Sequence, residues 1–230
     1  MGLLGAIFSY AVAHRMRPDN PVRGVRLFAD RKRERRLSDE EYKTLGEALR
    51  TVPENIWPAA IAAARFIALT GWRRAEVLGL RWSELDLARR TAVLGDTKTG
   101  RSLRPLSRQV CELLQDLDRI GPLVFPASRG EGPMLGFPKF WRRISRHVSL
   151  PADVTPHTLR HSYASTAADL GYGESTIAAL VGHKGRSVTS RYVHSADALL
   201  LAAADAIADH IMGLMGEIRP VAKVVSLLKG

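Results

Sequence analysis

Residues 155–194 read TPHTLRHSYASTAADLGYGESTIAALVGHKGRSVTSRYVH. Thr155-Pro156 has the form of a helix start: a hydroxyl N-cap, then a proline where its missing N–H costs nothing. Gly171 marks the far end. A second helix is expected over about 174–181 and a third over about 187–193, with Gly182-His183 as the turn between them. A chain that strings short helices together in this way must build its core helix on helix. On the first helix His157 and Arg160 are three apart, so they project from one face. They lie near an end that presents free N–H groups and the positive end of the helix dipole. The stretch closes on Arg191-Tyr192-Val193-His194, with Tyr192 nine positions after His183.

The rest of the chain reads in the same style. A helix is expected over 3–16, closed by Arg15 and Arg17 before the turn cluster Arg17-Pro18-Asp19-Asn20-Pro21. Ser38-Asp39-Glu40-Glu41 has the capping-box form and opens a helix to about Leu49. An alanine-rich helix, expected to be buried, covers 56–69, and another covers about 74–80. Short strand-like runs at Thr91–Leu94 and Ser102–Leu106 flank Lys98-Thr99-Gly100, consistent with a hairpin. Helices follow near 108–118, 136–147 and 196–215. The pattern predicts a mainly α fold with a small antiparallel β-sheet (α+β). The expected organisation is an N-terminal helix within 1–22, a basic linker over 23–36, the main domain over 37–215 and a tail over 216–230.

Composition narrows the partner. The 230 residues carry a formal net charge of +11, and the pI is about 10.4. That excess favours a polyanion. Double-stranded DNA fits better than an anionic membrane, because the basic residues form no single basic amphipathic helix. The linker holds Arg23, Arg26, Arg31, Lys32, Arg33, Arg35 and Arg36 against Asp30 and Glu34. It reads either as a solvated connector or as a phosphate-contacting strip, with Arg31, Lys32 and Arg33 as candidates. Helix 136–147 adds Lys139, Arg142, Arg143 and Arg146 with no acidic residue. Cys111 is the one cysteine, which excludes an intrachain disulfide and a Cys-rich zinc site and suits a reducing cytoplasm. Leu3–Ala13 imitates a secretory signal but lacks a basic start, and no run reaches the roughly 18 apolar residues of a membrane span.

A tyrosine hydroxyl with a pKa of about 10 is roughly one part in a thousand ionised at neutral pH. Arg73, Lys98, His157, Arg160 and His183 are the groups that would overcome this, by holding a phosphate-like transition state, lowering the phenol pKa and moving protons. Arg73 sits where one helix ends at Gly71 and another begins, with Glu76 three residues on to orient it. Tyr10, Tyr42, Tyr163 and Tyr172 lack such surroundings in sequence. His157 and His161 have zinc-ligand spacing, but Thr158 stands where a zincin helix needs glutamate and no further ligand cluster is apparent. No metal and no cofactor are expected.

In this order the boxes resemble the tyrosine recombinase (phage integrase) family. They are Thr70-Gly71-Trp72-Arg73-Arg74-Ala75-Glu76 with Leu80-Arg81-Trp82, then Thr97-Lys98-Thr99, His157-Thr158-Leu159-Arg160-His161, Gly182-His183 and Arg191-Tyr192-Val193-His194. The resemblance covers about residues 37–195, with no departure at a catalytic position. It implies the DNA breaking–rejoining catalytic fold and cleavage through a 3′-phosphotyrosyl link on Tyr192. Arg73 and Arg160 would bind the non-bridging oxygens, Lys98 would protonate the leaving 5′-oxygen, and His157 would act as acid/base toward the tyrosine. His183 would hydrogen-bond the phosphate, and Glu76 would support the site from behind. It also implies a homo-tetramer on DNA, accessory DNA-bending proteins, a mobile-element or prophage origin, and no need for ATP. Residues 1–22 resemble the last helix of the family's N-terminal core-binding domain, making the chain a truncated product or a catalytic fragment. Helix 196–215 resembles the segment that members exchange between protomers, with packing in cis as the alternative. A type IB topoisomerase-like relaxing enzyme and a catalytically silent DNA-binding remnant are the competing functions.

Overall fold

Six alanines among thirteen residues let a helix be approached closely from several sides, and Pro58–Thr70 (α3) is that helix. Ala60, Ala62, Ala63, Ala64 and all of Phe66–Thr70 are buried. It packs against α2 (Asp39–Thr51), α4 (Arg74–Gly79), α5 (Arg108–Gln115), α6 (Phe137–His147), α7 (Pro156–Asp169) and α9 (Val193–Leu214). Small side chains allow these close approaches, while Phe66 meets Trp72 and Phe125 edge-to-face, with centroids 5.2 and 5.4 Å apart. The computed structural model describes residues 2–25, 35–95, 102–182 and 193–217, with side chains in the last segment from 198 onward.

The chain divides into two compact units, Met1–Glu34 and Arg35–Gly230. In the first, α1 (Gly2–Ala13) has no buried residue, and Leu3, Leu4, Ile7 and Tyr10 are exposed. Arg15 adopts φ 56°, which stops the helix three residues short of the expected 16. Asn20 folds back, its Nδ2 donating to the Gly5 carbonyl and the Ser9 hydroxyl, both at 3.0 Å.

The second unit starts at Arg35, two residues inside the expected linker, for an electrostatic reason. Arg35 pairs with Glu41 and Asp153, and Arg36 pairs with Asp169 at 2.6 Å. Those two cations are engaged within the unit. The Ser38 capping box forms, with Ser38 Oγ accepting from the Glu41 N–H and Glu41 Oε2 accepting from the Ser38 N–H. The hydrogen bond from Arg35 leads the causes that hold the Glu41 carboxyl below its usual range.

The sheet has three antiparallel strands in the order β1 (Leu85–Asp86), β2 (Thr91–Leu94) and β3 (Ser102–Pro105). The two-residue β1 was absent from the expected hairpin because so short a strand leaves no alternation to read. The α9 helix packs in cis, burying Ala203, Ala204, Ile207, Ala208 and Ile211 against its own unit. Asp205 fixes its register by accepting from Arg90 Nη1 and the Arg108 backbone N–H, both at 2.8 Å. Among the described residues no helix is long and apolar enough to cross a membrane.

Candidate active site

The turn between α3 and α4 creates the site. Gly71 caps α3 in the left-handed region at φ 63°, and a Cβ there would lie 2.7 Å from the Tyr163 ring of α7. The glycine therefore lets α3 end directly against α7. Its carbonyl accepts a 2.7 Å bond from Arg160 Nη1, which also donates to the Val181 carbonyl at 2.8 Å. Buried Trp72 follows, and then Arg73 opens α4. Arg73 Nη1 donates to Glu76 Oε1 at 2.8 Å and to the Gly182 carbonyl at 3.1 Å. Two arginines 87 positions apart in sequence thus grip adjacent carbonyls at the end of α8 (Glu174–Val181).

A third guanidinium, not anticipated from the sequence, completes the cluster. Arg104 on β3 is fully buried, and its Nη1 donates to Glu76 Oε2 at 3.0 Å and to the Val181 carbonyl at 3.3 Å. Its guanidinium lies 4.9 Å from the centroid of the Trp72 ring, a cation–π contact. Strand alternation hides it: the apolar Leu103 is exposed while Arg104 faces in, opposite the small Ala92. The available signal was Leu106, two positions on and fully buried, which sets the inward face of the strand.

Glu76 is thus the carboxylate against three guanidiniums. Burial works against its charged form. The hydrogen bond and charge of Arg104, then the hydrogen bonds from Arg73, outweigh that and hold it below the usual range. Burial, reinforced by the charge of Arg73 and Arg104 and opposed by Glu76, lowers Arg160 to about 10. Arg160 still carries its charge at neutral pH. Arg160 Nη2 and Arg104 Nη2 are buried without a hydrogen-bond partner among the described residues. A partly buried net positive cluster with donors to spare is suited to a tetrahedral oxyanion.

A model of the phage integrase family matches residues 35–198. The chain belongs to the phage integrase family. The match begins where the compact unit begins, and it takes in every box that carries the resemblance. The shufflon-specific DNA recombinase of Escherichia coli is 31% identical over 201 residues, covering 84% of this chain and 49% of that protein. Tyrosine recombinase XerD of Pseudomonas aeruginosa is 28% identical over 170 residues, covering 67% of this chain and 56% of that one. The chain spans about half the length of these curated relatives. The fold matches solved phage integrases. A λ integrase dimer bound to a COC′ core site superposes with a TM-score of 0.60 at 22% identity, covering 80% of this chain and 70% of that one. The integrase from mycobacterium phage Brujita gives 0.62 at 20% identity, covering 93% and 75%. The tyrosine recombinase catalytic fold, helical with a small antiparallel sheet, is therefore established.

Within this integrase fold, α7 carries His157 one turn before Arg160. His157 is exposed, and its Nε2 lies 2.9 Å from that of His161, with the rings edge-to-face. Burial, then the charges of His157 and Arg160, push His161 below the usual imidazole value. The start of α7 is less open than expected, since Thr155 Oγ1 accepts from the Thr158 N–H and Thr158 Oγ1 accepts from the Thr155 N–H. No group of three or more His, Cys, Asp or Glu converges among the described residues. Lys98, His183 and Tyr192 lie outside the described residues, as do Arg31, Lys32 and Arg33. On α6, Phe137, Trp141 and Ile144 face the core, leaving Lys139, Arg142, Arg143 and Arg146 exposed. Arg143 donates to Asn55. No hydrogen bond or ion pair joins these four to the guanidinium cluster among the described residues.

Proposed function

We propose that the chain is the catalytic part of a site-specific DNA recombinase that cuts and rejoins DNA through a covalent bond on Tyr192. The observation that carries this reading is the convergence of Arg73 and Arg160 on the end of α8, immediately before the Gly182-His183 box. In the proposed step the Tyr192 oxygen attacks the scissile phosphorus and forms a 3′-phosphotyrosyl bond. The bond to the 5′-oxygen breaks, and that oxygen takes a proton from Lys98. His157 accepts the tyrosine proton. Arg73 and Arg160 hold the non-bridging oxygens, with His183 as a further donor and Glu76 fixing Arg73. The phosphotyrosyl ester keeps the energy of the broken diester, so rejoining needs neither ATP nor a metal.

The exposed base of α6 (Lys139, Arg142, Arg143 and Arg146) and the linker residues Arg31, Lys32 and Arg33 are assigned to backbone phosphates of double-stranded DNA. Acting on paired sites as a homo-tetramer, with accessory DNA-bending proteins, fits this chemistry. So do a mobile-element origin and a cytoplasmic setting. The deciding experiment is covalent trapping on nicked suicide duplexes drawn from DNA flanking the coding sequence. An adduct on denaturing gels with the wild-type protein, and none with Tyr192→Phe at equal DNA affinity, is expected. An adduct that persists in Tyr192→Phe removes Tyr192 as nucleophile. Salt-sensitive binding with no adduct from either protein supports a silent DNA-binding remnant instead.

A further inference from the structure

We infer that Arg104 is a positioning residue of the cleavage site, a buried strut that links the β2–β3 sheet to the phosphate-binding arginines through Glu76 and the Val181–Gly182 carbonyls. The inference rests on the recombinase reading for its catalytic consequence, but its geometry stands on independent observations.

Both contacts of Arg104 Nη1 lead toward the site. Nη1 reaches the Glu76 oxygen that also accepts from the Arg73 backbone N–H at 3.1 Å, so one carboxylate oxygen joins the two arginines. The same Nη1 shares the Val181 carbonyl with Arg160 Nη1. Nε donates to Ser102 Oγ at 3.2 Å, tying the head group to the first residue of its own strand. Arg73, Glu76, Arg104 and Arg160 therefore form one hydrogen-bonded unit anchored on the end of α8.

Packing holds the strut in place from two sides. Trp72 stacks against the guanidinium. From the other side comes Gly182 at φ 71°, where a Cβ would sit 2.1 Å from Arg104 Cζ and Nη2. Gly182 is thus doubly constrained, by its left-handed backbone and by the guanidinium pressed against its Cα. The Gly-His pair of the sequence has, in this chain, a local reason for its glycine: it makes room for Arg104.

A fully buried guanidinium is a costly way to fill space. Burying it is repaid through pairing and hydrogen bonds, and an apolar side chain of similar volume is often no less stable. Its distinctive contribution is a rigid planar fork that holds three partners in fixed relation. Without it, Glu76 Oε2 loses a charged donor, and Arg73 and Arg160 lose the carbonyl and carboxylate positions they share with it. Misplacement of catalytic groups by about 1 Å costs on the order of a hundredfold in rate.

The test compares wild type with Arg104→Met, which fills the same space without the fork, and Arg104→Lys, which keeps the charge. Adduct formation on the nicked suicide duplex is followed at saturating and sub-saturating DNA. Side-chain Nε–H spectra report Arg73 and Arg160 directly. The expected result is an adduct rate at saturation about a hundredfold lower in Arg104→Met, a larger loss than that in DNA affinity, most of which comes from cations along the exposed phosphate-tracking surface. The Arg73 and Arg160 signals should shift, and Arg104→Lys should recover part of the rate. A folded Arg104→Met protein that cleaves within about threefold of wild type would overturn the inference. If wild type itself forms no adduct, the recombinase reading fails, and the spectra then decide. Unmoved Arg73 and Arg160 signals in Arg104→Met refute the strut, and displaced ones sustain it.

Discussion

Replacing Glu76 by glutamine keeps the shape of the side chain and removes the charge that the Arg73 and Arg104 guanidiniums contact and that Arg160 feels at longer range. Its two oxygens accept from Arg73 Nη1 at 2.8 Å, the Arg73 N–H at 3.1 Å and Arg104 Nη1 at 3.0 Å. All three partners are donors, so the amide nitrogen of glutamine must face at least one of them. The better orientation puts it at the Oε1 position and sacrifices the single bond from Arg73 Nη1. A hydrogen bond to a charged group contributes about 1.5–3 kcal/mol. The lost attraction to neighbouring cations adds to this, as an ion pair 4 Å apart is worth about 4 kcal/mol at an effective dielectric of 20. Removing one partner of a buried pair costs about 3–5 kcal/mol overall, and the Glu76 side chain is 9% exposed and that of Arg104 0%. For a domain of this size that corresponds to a fall in Tm of about 6–20 °C.

Urea unfolding followed by circular dichroism, at several pH values, measures both magnitude and sign. The folded-state pKa of Glu76 is depressed. Its contribution is therefore complete above the unfolded carboxyl value of about 4.3 and is lost as pH falls through the lower folded value. The gap between wild type and Glu76→Gln should be wide at pH 7 and close in acid below about pH 4. Equal midpoints at pH 7 with unchanged m-values, or a gap that ignores pH, would refute the assignment of Glu76 as the counter-charge of the cluster.

Gly71→Ala should destabilise by about 2–5 kcal/mol, combining left-handed strain with overpacking against Tyr163; a change in urea midpoint equivalent to less than about 1 kcal/mol would show that α3 can end another way. Burial pushes the Cys111 thiol up to about 11, so at pH 8 it stays protonated. It should react with a disulfide reagent far more slowly in the native protein than in urea, and prompt native labelling would contradict its placement.

The parts of this fold that were legible in the sequence are those where one residue type answers one local need. Thr155-Pro156 and the Ser38–Glu41 box mark helix starts because orphan backbone N–H groups require a cap there. The family boxes gave Arg73, Glu76 and Arg160, which the fold does bring together. Arg104 was missed for the opposite reason, with Leu106 two positions on as the one local hint. An arginine next to a leucine on a short strand reads as the outward residue, and the inversion is set by partners distant in sequence, namely Glu76, Trp72 and Gly182. Arg35 and Arg36 were hidden in the same way, since a run of cations looks like a solvated linker until Asp153 and Asp169 are placed beside it. Charge pairing across 118 and 133 positions has no local signature.

The same balance of charge predicts how the folded protein responds to anions. Arg160 stays protonated at pH 7 although burial and its cationic neighbours lower its pKa. Holding that charge in place therefore weakens the fold at neutral pH, with Glu76 offsetting part of the cost. An anion that takes up the spare guanidinium donors binds the native state alone, and it stabilises by about 2.7 kcal/mol at a hundred times its Kd. Sulfate, a tetrahedral stand-in for the phosphodiester, should raise Tm more than chloride at equal ionic strength. Part of any sulfate effect is general exclusion from protein surface, which acts on every variant alike. Arg160→Met isolates the specific part: it keeps the general increment and loses the remainder. If sulfate raises the Tm of Arg160→Met as much as that of wild type, the guanidinium cluster is not an anion site, and its excess charge needs a different explanation.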